Sequence, residues 1–300
     1  MIGILLIVLA CGLWALDTLI RYPLLQGGVD AFSIVFYEHL FLSIIFLVVF
    51  FKSLPKLGRM KLSHIWYFFI IGGVGSASAT LAFTHAFNYL NPSLVIILQK
   101  FQPVVSISLA HFVLKEKIKK EFLFWASICL IGAVIISYDD ILKIIETKGE
   151  LSHLFFHSDS FQGYLLVAYS VVGWGAATVF GKKLLKLGYQ DEQVMGGRFI
   201  MGLIILLPFV FINQNLFSHS VEVYGKVSLM IFVSGLLAMY LFYQGLRKVS
   251  ARSGSLAELF FPFMAVIVNW IFLDAVLTPV QIVGGCFLLL GSVTIQLKHY

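Results

Sequence analysis

Ten apolar runs divide the chain, at about residues 2–20, 30–51, 64–88, 91–114, 121–138, 161–184, 191–212, 224–246, 252–274 and 278–297. Each is close to the roughly 20 residues that a helix needs to cross the hydrocarbon of a bilayer. The runs are continuous, whereas the strands of a membrane barrel alternate. Backbone polar groups in lipid must be satisfied within the protein, and a helix does this inside one segment. The pattern therefore predicts an all-α polytopic membrane protein of ten transmembrane helices, with the lipid bilayer as its surroundings. Composition agrees. Hydrophobic residues make up 60% of the chain and charged residues 12%, against about 45–50% and about 25% in ordinary soluble domains. The first run contains Asp17 and lacks a basic leader and a small-residue cleavage site, so it reads as a span and not as a signal peptide.

The formal charge of +6 lies mainly in short loops between these runs. That is a footprint of membrane orientation, and no nucleic-acid partner is expected. Lys and Arg cluster at 52–61, 115–120, 182–186 and 247–252, while the opposite loops hold Arg21, Lys143, Lys148 and Lys226. Both termini are thus expected on the cytoplasmic side, in a bacterial cytoplasmic (inner) membrane. Cys11, Cys129 and Cys286 form no spaced pair and no metal pattern, so neither a metal nor a cofactor is expected.

Sliding the chain by 159 residues brings Pro103 onto Pro262, Leu114 onto Leu273, Gly132 onto Gly291, Phe83 onto Phe242 and Ala79 onto Ala238. A slip of one further residue brings Gly12-Leu-Trp14 near Gly173-Trp174. The chain divides into a first five-helix repeat at 1–140, an extracytoplasmic loop at 141–160 and a second five-helix repeat at 161–297. An odd number of crossings per half makes the two halves inverted. Inverted repeats place a binding site near the membrane midplane, at the interface of the halves.

The repeat resembles the EamA domain of the drug/metabolite transporter superfamily. The likeness rests on Leu13-Trp14 and Gly173-Trp174, and on Ala86-Phe-Asn-Tyr-Leu-Asn-Pro-Ser running into Phe101-Gln-Pro-Val. It also rests on the Lys115-Glu116-Lys117 turn and on the closing Ile131-Gly-Ala and Leu290-Gly-Ser. The resemblance covers nearly the whole chain and implies a ten-helix transporter. In one respect the chain departs from the family: Arg198 stands in the seventh helix, but its mate in the second helix is His39 within Tyr37-Glu-His-Leu.

Ionisable residues inside the spans narrow the search for a site, since a charge at the bilayer centre costs about 2.5–3.5 kcal/mol on insertion scales. Asp17 and Arg21 are four apart and can pair on a face shared with Trp14. Arg21, close to the outer end, can also snorkel to the surface. Glu38 lies about 12 Å below the outer edge at 1.5 Å per residue. It is a candidate for coupling to protons, and His39 stands beside it, a residue type whose unperturbed side chain titrates near neutrality. Lys100 is flanked by Gln99 and Gln102 and followed by Pro103, which frees a backbone carbonyl and favours a broken helix. It can neutralise Glu38 or meet an anionic group of a substrate. Glu258 and Pro262 are the second-half counterparts of Gln99 and Pro103. Candidate binding residues are therefore Trp14, Asp17, Glu38, His39, His85, Gln99, Lys100, Trp174, Arg198, Tyr243, Gln244 and Glu258, with Pro103 and Pro262 as hinges. For each charge the alternative role is an ionic staple between helices.

The chain has no Walker lysine loop. The reading is a secondary transporter working by alternating access, in which protons can supply the coupling. Charges of both signs suggest a small polar or zwitterionic substrate of the amino-acid or related amine class. A non-transporting receptor or assembly factor is the alternative. A membrane-embedded enzyme is less favoured, as neither His-Glu-x-x-His nor Gly-x-Ser-x-Gly occurs.

Overall fold

The computed structural model describes residues 2–49, 51, 61–146, 159–213, 216–246, 248, 257 and 260–298. Among them the ordered elements are all helical. The first half contains α1 (Ile2–Gln26), α2 (Ala31–Val49), α3 (Leu62–Ala86), α4 (Pro92–Leu114) and α5 (Lys120–Ile136). A nine-residue helix α6 (Tyr138–Glu146) follows. The second half contains α7 (Asp159–Lys186), α8 (Asp191–Leu206, extended by a 3-10 turn Leu207–Phe211), α9 (Val221–Met230 through Ile231–Leu237 to Ala238–Leu246), α10 (Phe260–Leu273) and α11 (Pro279–Lys298).

Eight of these helices are long and apolar enough to cross a membrane. Two of the ten predicted spans are shorter among the described residues. Helix α5 has 17 residues, and the apolar helix α10 has 14. The run predicted to begin at 252 is described as helix from Phe260, and the predicted loop at 141–160 begins inside α6.

Local chemistry sets several boundaries. Helix α1 ends at Gly28, whose φ of 87° suits glycine, and the Val29 amide donates back to the Leu24 carbonyl at 3.0 Å. Helix α7 ends the same way at Gly188, with φ 92° and the Tyr189 amide on the Leu184 carbonyl at 3.2 Å. These two turns are 160 residues apart, which extends the one-residue slip seen around the tryptophans. Asn91 caps α4 through the Ser93 amide, and Pro92 occupies the first turn, where its missing N–H is no loss. Pro103 interrupts the same helix, and Gln99–Phe101 tightens into a 3-10 turn. Wide π turns occupy Phe69–Ser78 of α3 and Ile231–Leu237 of α9, which end 159 residues apart.

The packing partners exchange between halves. Helix α1 packs on α9 and α10, while α7 packs on α3 and α4; α2 packs on α8, and α5 packs on α11. The α5–α11 seam is closed by glycines. A Cβ on Gly132 would meet the Leu288 nitrogen at 2.5 Å, and one on Gly291 would meet Cys129 Sγ at 2.6 Å. Cys129 Sγ lies 3.6 Å from the Leu288 carbonyl, so two positions separated by the repeat offset touch.

The exterior is apolar, with Phe112, Phe211, Leu62 and Val221 more than two-thirds exposed. Arg21, His39, Ser76, Thr18 and Thr84 are buried. Most of the core is still apolar, so these polar groups are enclosed inside the bundle, where a membrane protein keeps ionisable residues away from lipid.

Candidate functional site

A cavity of about 430 Å³ lies between the halves. Its lining comes from α1, α2, α3, α4, α7, α8, α9 and α10. This volume falls in the roughly 300–1,000 Å³ range of small-molecule sites.

One wall is charged and centres on Arg21. Its Nε donates to Asp17 Oδ2 at 2.6 Å and its Nη2 to Asp17 Oδ1 at 3.2 Å. Nη2 also reaches Glu38 Oε2 at 3.2 Å, and Nη1 donates to Thr84 Oγ1 at 3.0 Å. The sequence allowed Arg21 to snorkel outward. Instead it is only 5% exposed, because two carboxylates and a hydroxyl satisfy its planar fork inside. The sequence also offered Lys100 as the neutraliser of Glu38; the structure shows Arg21 in that role.

The Arg21 network reaches the second half. Ser234 Oγ lies 2.7 Å from Asp17 Oδ1, and Trp14 Nε1 donates to the Ser234 carbonyl at 3.0 Å. His39 is held between the Val35 carbonyl, at 2.9 Å from Nδ1, and Ser76 Oγ, at 3.0 Å from Nε2. The carbonyl only accepts, so Nδ1 carries a hydrogen, and in the neutral ring Nε2 then accepts from Ser76. Arg198 Nη2 donates to the Gly75 carbonyl at 3.3 Å, tying α8 to α3.

The other wall is aromatic. Trp174 packs on Phe83 with ring centroids 4.9 Å apart, and Phe83 packs on Phe87 at 5.0 Å. Trp14 sits edge-on to Phe261 at 6.4 Å. Lys100 Nζ lies 4.8 Å from the Phe261 ring centroid, a cation–π contact.

Eight of the sequence candidates meet here: Trp14, Asp17, Glu38, His39, Gln99, Lys100, Trp174 and Arg198. His85 does not join them. It lies in a separate groove with Asp30 and Asn88, and its ring nitrogens contact Asn88 and the Tyr89 hydroxyl. Gln244 does not line the cavity, and Pro262 lines an apolar groove beside α11. The side chain of Tyr243 and all of Glu258 fall outside the described residues. The sequence reading left out Arg21, Ser234, Thr80 and the Phe83–Phe87–Phe261 set. Arg21 was signalled by its spacing from Asp17, whereas the phenylalanines carry no mark distinguishing them from the chain's other Phe residues.

A bundle of apolar helices around a polar, aromatic-walled cavity that both halves enclose defines a membrane transporter. The EamA-like transporter family matches residues 1–138 and 161–297, and the chain belongs to that family. It is 29% identical to the riboflavin transporter ImpX of Fusobacterium nucleatum, over 98% of this chain and 97% of that one. An uncharacterized transporter of Clostridium kluyveri is 24% identical, over 89% and 84% of the two chains. The uncharacterized transporter YyaM of Bacillus subtilis is 20% identical, over 84% and 79%. A solved crystal structure shares the fold at a TM-score of 0.58, with 17% identity over 99% of this chain and 98% of its own.

Proposed function

We propose that this transporter carries riboflavin or a closely related flavin, moving it by alternating access between two inverted five-helix halves. The observation that carries the reading is the division of the cavity into an aromatic wall and a charged wall whose carboxylates are already engaged by Arg21. A planar, polar, uncharged ring system suits the aromatic wall by stacking. A hydroxyl-bearing tail suits Thr18, Ser76, Thr80 and Ser234. The name of the Fusobacterium relative points to the same compound. The amino-acid class expected from charge balance would set an ammonium group on Asp17 and Glu38, where it competes with Arg21 for both carboxylates. The loop charges favour both termini on the cytoplasmic side of a bacterial cytoplasmic membrane.

Glu38 is the proton-coupling group in this scheme. Arg21 balances one of two carboxylates. Asp17 takes two of its nitrogens and Ser234 as well, while Glu38 takes a single contact at 3.2 Å. A proton on Glu38 therefore breaks the weaker link and leaves the Asp17–Arg21 pair intact. Purified protein in liposomes is expected to accumulate riboflavin under an inward proton gradient. Glu38→Gln is expected to fold, yet to lose that pH dependence together with at least about tenfold of the rate, a barrier change of about 1.4 kcal/mol. Amino-acid flux without riboflavin flux overturns the substrate reading; an unchanged pH profile in Glu38→Gln overturns the coupling reading.

A further inference from the structure

Two glutamines flank Lys100 where α4 is broken, and the fold treats them differently. Gln102 Nε2 reaches Thr178 Oγ1 of α7 at 3.4 Å. Gln99 opens the 3-10 turn, and both glutamines line the cavity. Gln99 Oε1 is buried and has no hydrogen-bond partner among the described residues. Buried acceptors are normally satisfied, so an orphan on a residue that lines a ligand-sized cavity marks a group that a ligand can complete once the amide turns toward it.

A primary amide offers one acceptor and one donor side by side. Its complement is an edge on which an N–H adjoins a carbonyl, as in a cyclic imide or lactam. The pyrimidine ring of a flavin carries such an edge at N3–H and its neighbouring carbonyls. We propose that Gln99 is the specificity-determining residue of this transporter and reads that imide edge while the ring system stacks against Phe261 and Phe83. This rests on the flavin reading above. The 3-10 turn helps, because the broken backbone fixes where the amide starts and Pro103 prevents the helix from closing over it. Sites built to pair with a donor reject analogues that lack it, since the protein's own group is then left unmet.

The test uses purified full-length protein in lipid nanodiscs, with binding read from quenching of flavin fluorescence. The probes are riboflavin and 3-methylriboflavin, in which a methyl group replaces the N3 hydrogen. Wild-type protein is expected to bind the methylated compound at least about tenfold more weakly, roughly the contribution of one good hydrogen bond. Gln99→Ala is expected to bind riboflavin about tenfold more weakly than wild type and to bind the two flavins alike. Gln99→Asn, which keeps the amide, serves if the alanine variant fails to fold, and it should weaken riboflavin binding through its shorter reach. Equal binding of both flavins by wild type, or undiminished discrimination in a folded Gln99 variant, overturns the role of Gln99 and leaves the flavin reading standing. No riboflavin binding by wild type overturns the flavin reading, and the imide assignment with it.

Discussion

The contact of α1 with α9 and the contact of α7 with α3 occupy equivalent places in the two halves, yet they are made of opposite materials. In the first, Asp17 meets Ser234 through a hydroxyl at 2.7 Å, and Trp14 holds the same serine by its carbonyl. In the second, Ala177 faces Gly75 so closely that a Cβ on the glycine would overlap the alanine methyl, with the Gly173 carbonyl 2.7 Å away. The repeat offsets place Asp17 on Ala177 and Ser234 on Gly75. They place Arg21 on Gly181 and Glu38 on Gly197. One half therefore carries charge where the other carries the smallest side chains. The shared scaffold holds the helices at matching crossings. The substitutions prop one crossing open around a polar network and let the other close backbone to backbone.

Removing the charge centre should test this contrast most severely. Arg21→Ala leaves Asp17 and Glu38, both partly buried at the cavity wall, without their cation and should cost up to about 3–5 kcal/mol. The expected outcome is a sharply lower thermal midpoint in detergent and no transport. A stable, active variant would show that the carboxylates do not depend on Arg21.

The tight crossing comes next. Gly75→Val places a Cβ and two methyl groups against Ala177 and the Gly173 carbonyl and should cost at least about 1–3 kcal/mol as over-packing. If the α3–α7 seam moves during transport, flux should fall further than the midpoint does. Equal losses would make the seam a purely structural joint. Ser234→Ala at the open crossing removes one hydroxyl and should cost about 1 kcal/mol. Asp17 keeps Arg21, so the variant should retain folding, while riboflavin flux should fall by a few-fold because Ser234 also faces the cavity that takes the flavin's tail.

The smallest effect is expected outside the cavity. Glu116, in the turn after α4, meets Lys182 at 2.8 Å and Lys186 at 3.2 Å, and these lysines belong to α7 of the other half. The Lys182 hydrogen bond, helped by Lys186, holds its carboxyl below the ordinary carboxylate value. A depressed value stabilises the folded state above the unfolded pKa, and that contribution is lost as pH falls through the lowered value. The groups are more than a third exposed, so Glu116→Gln should change stability by less than about 1 kcal/mol. The difference between variant and wild type, read by thermal melts, should vanish at acid pH. A large difference at neutral pH would reveal a second charged lock between the halves, besides the Asp17–Ser234 crossing.

Much of this architecture was legible in the sequence, because the signals are local. Run length marks the spans, Gly28 and Gly188 mark two turns, and Pro103 marks the break in α4. The cost of a charge in lipid singles out Asp17, Glu38, Lys100 and Arg198 before any fold is known. Gln99 was legible as a polar neighbour of that break. Its difference from Gln102 was not, since both are glutamines on one helix and only the position of Thr178 on α7 separates them. His85 stands among the candidates of the sequence, yet its ring turns to Asn88 and Tyr89 within its own turn, away from the cavity.

The sequence by itself determined that this chain lives in lipid, that it repeats at an offset of about 159, and that its buried charges need partners. Only the tertiary structure decided which partners they take. Arg21 could have reached the surface; it turns inward because α2 and α3 bring Glu38 and Thr84 within reach of a guanidinium that Asp17 already orients. Spacing along a helix fixes what shares a face. What stands opposite that face depends on which helices become neighbours, and here that arrangement turned scattered polar residues into one cavity with a charged wall and an aromatic one.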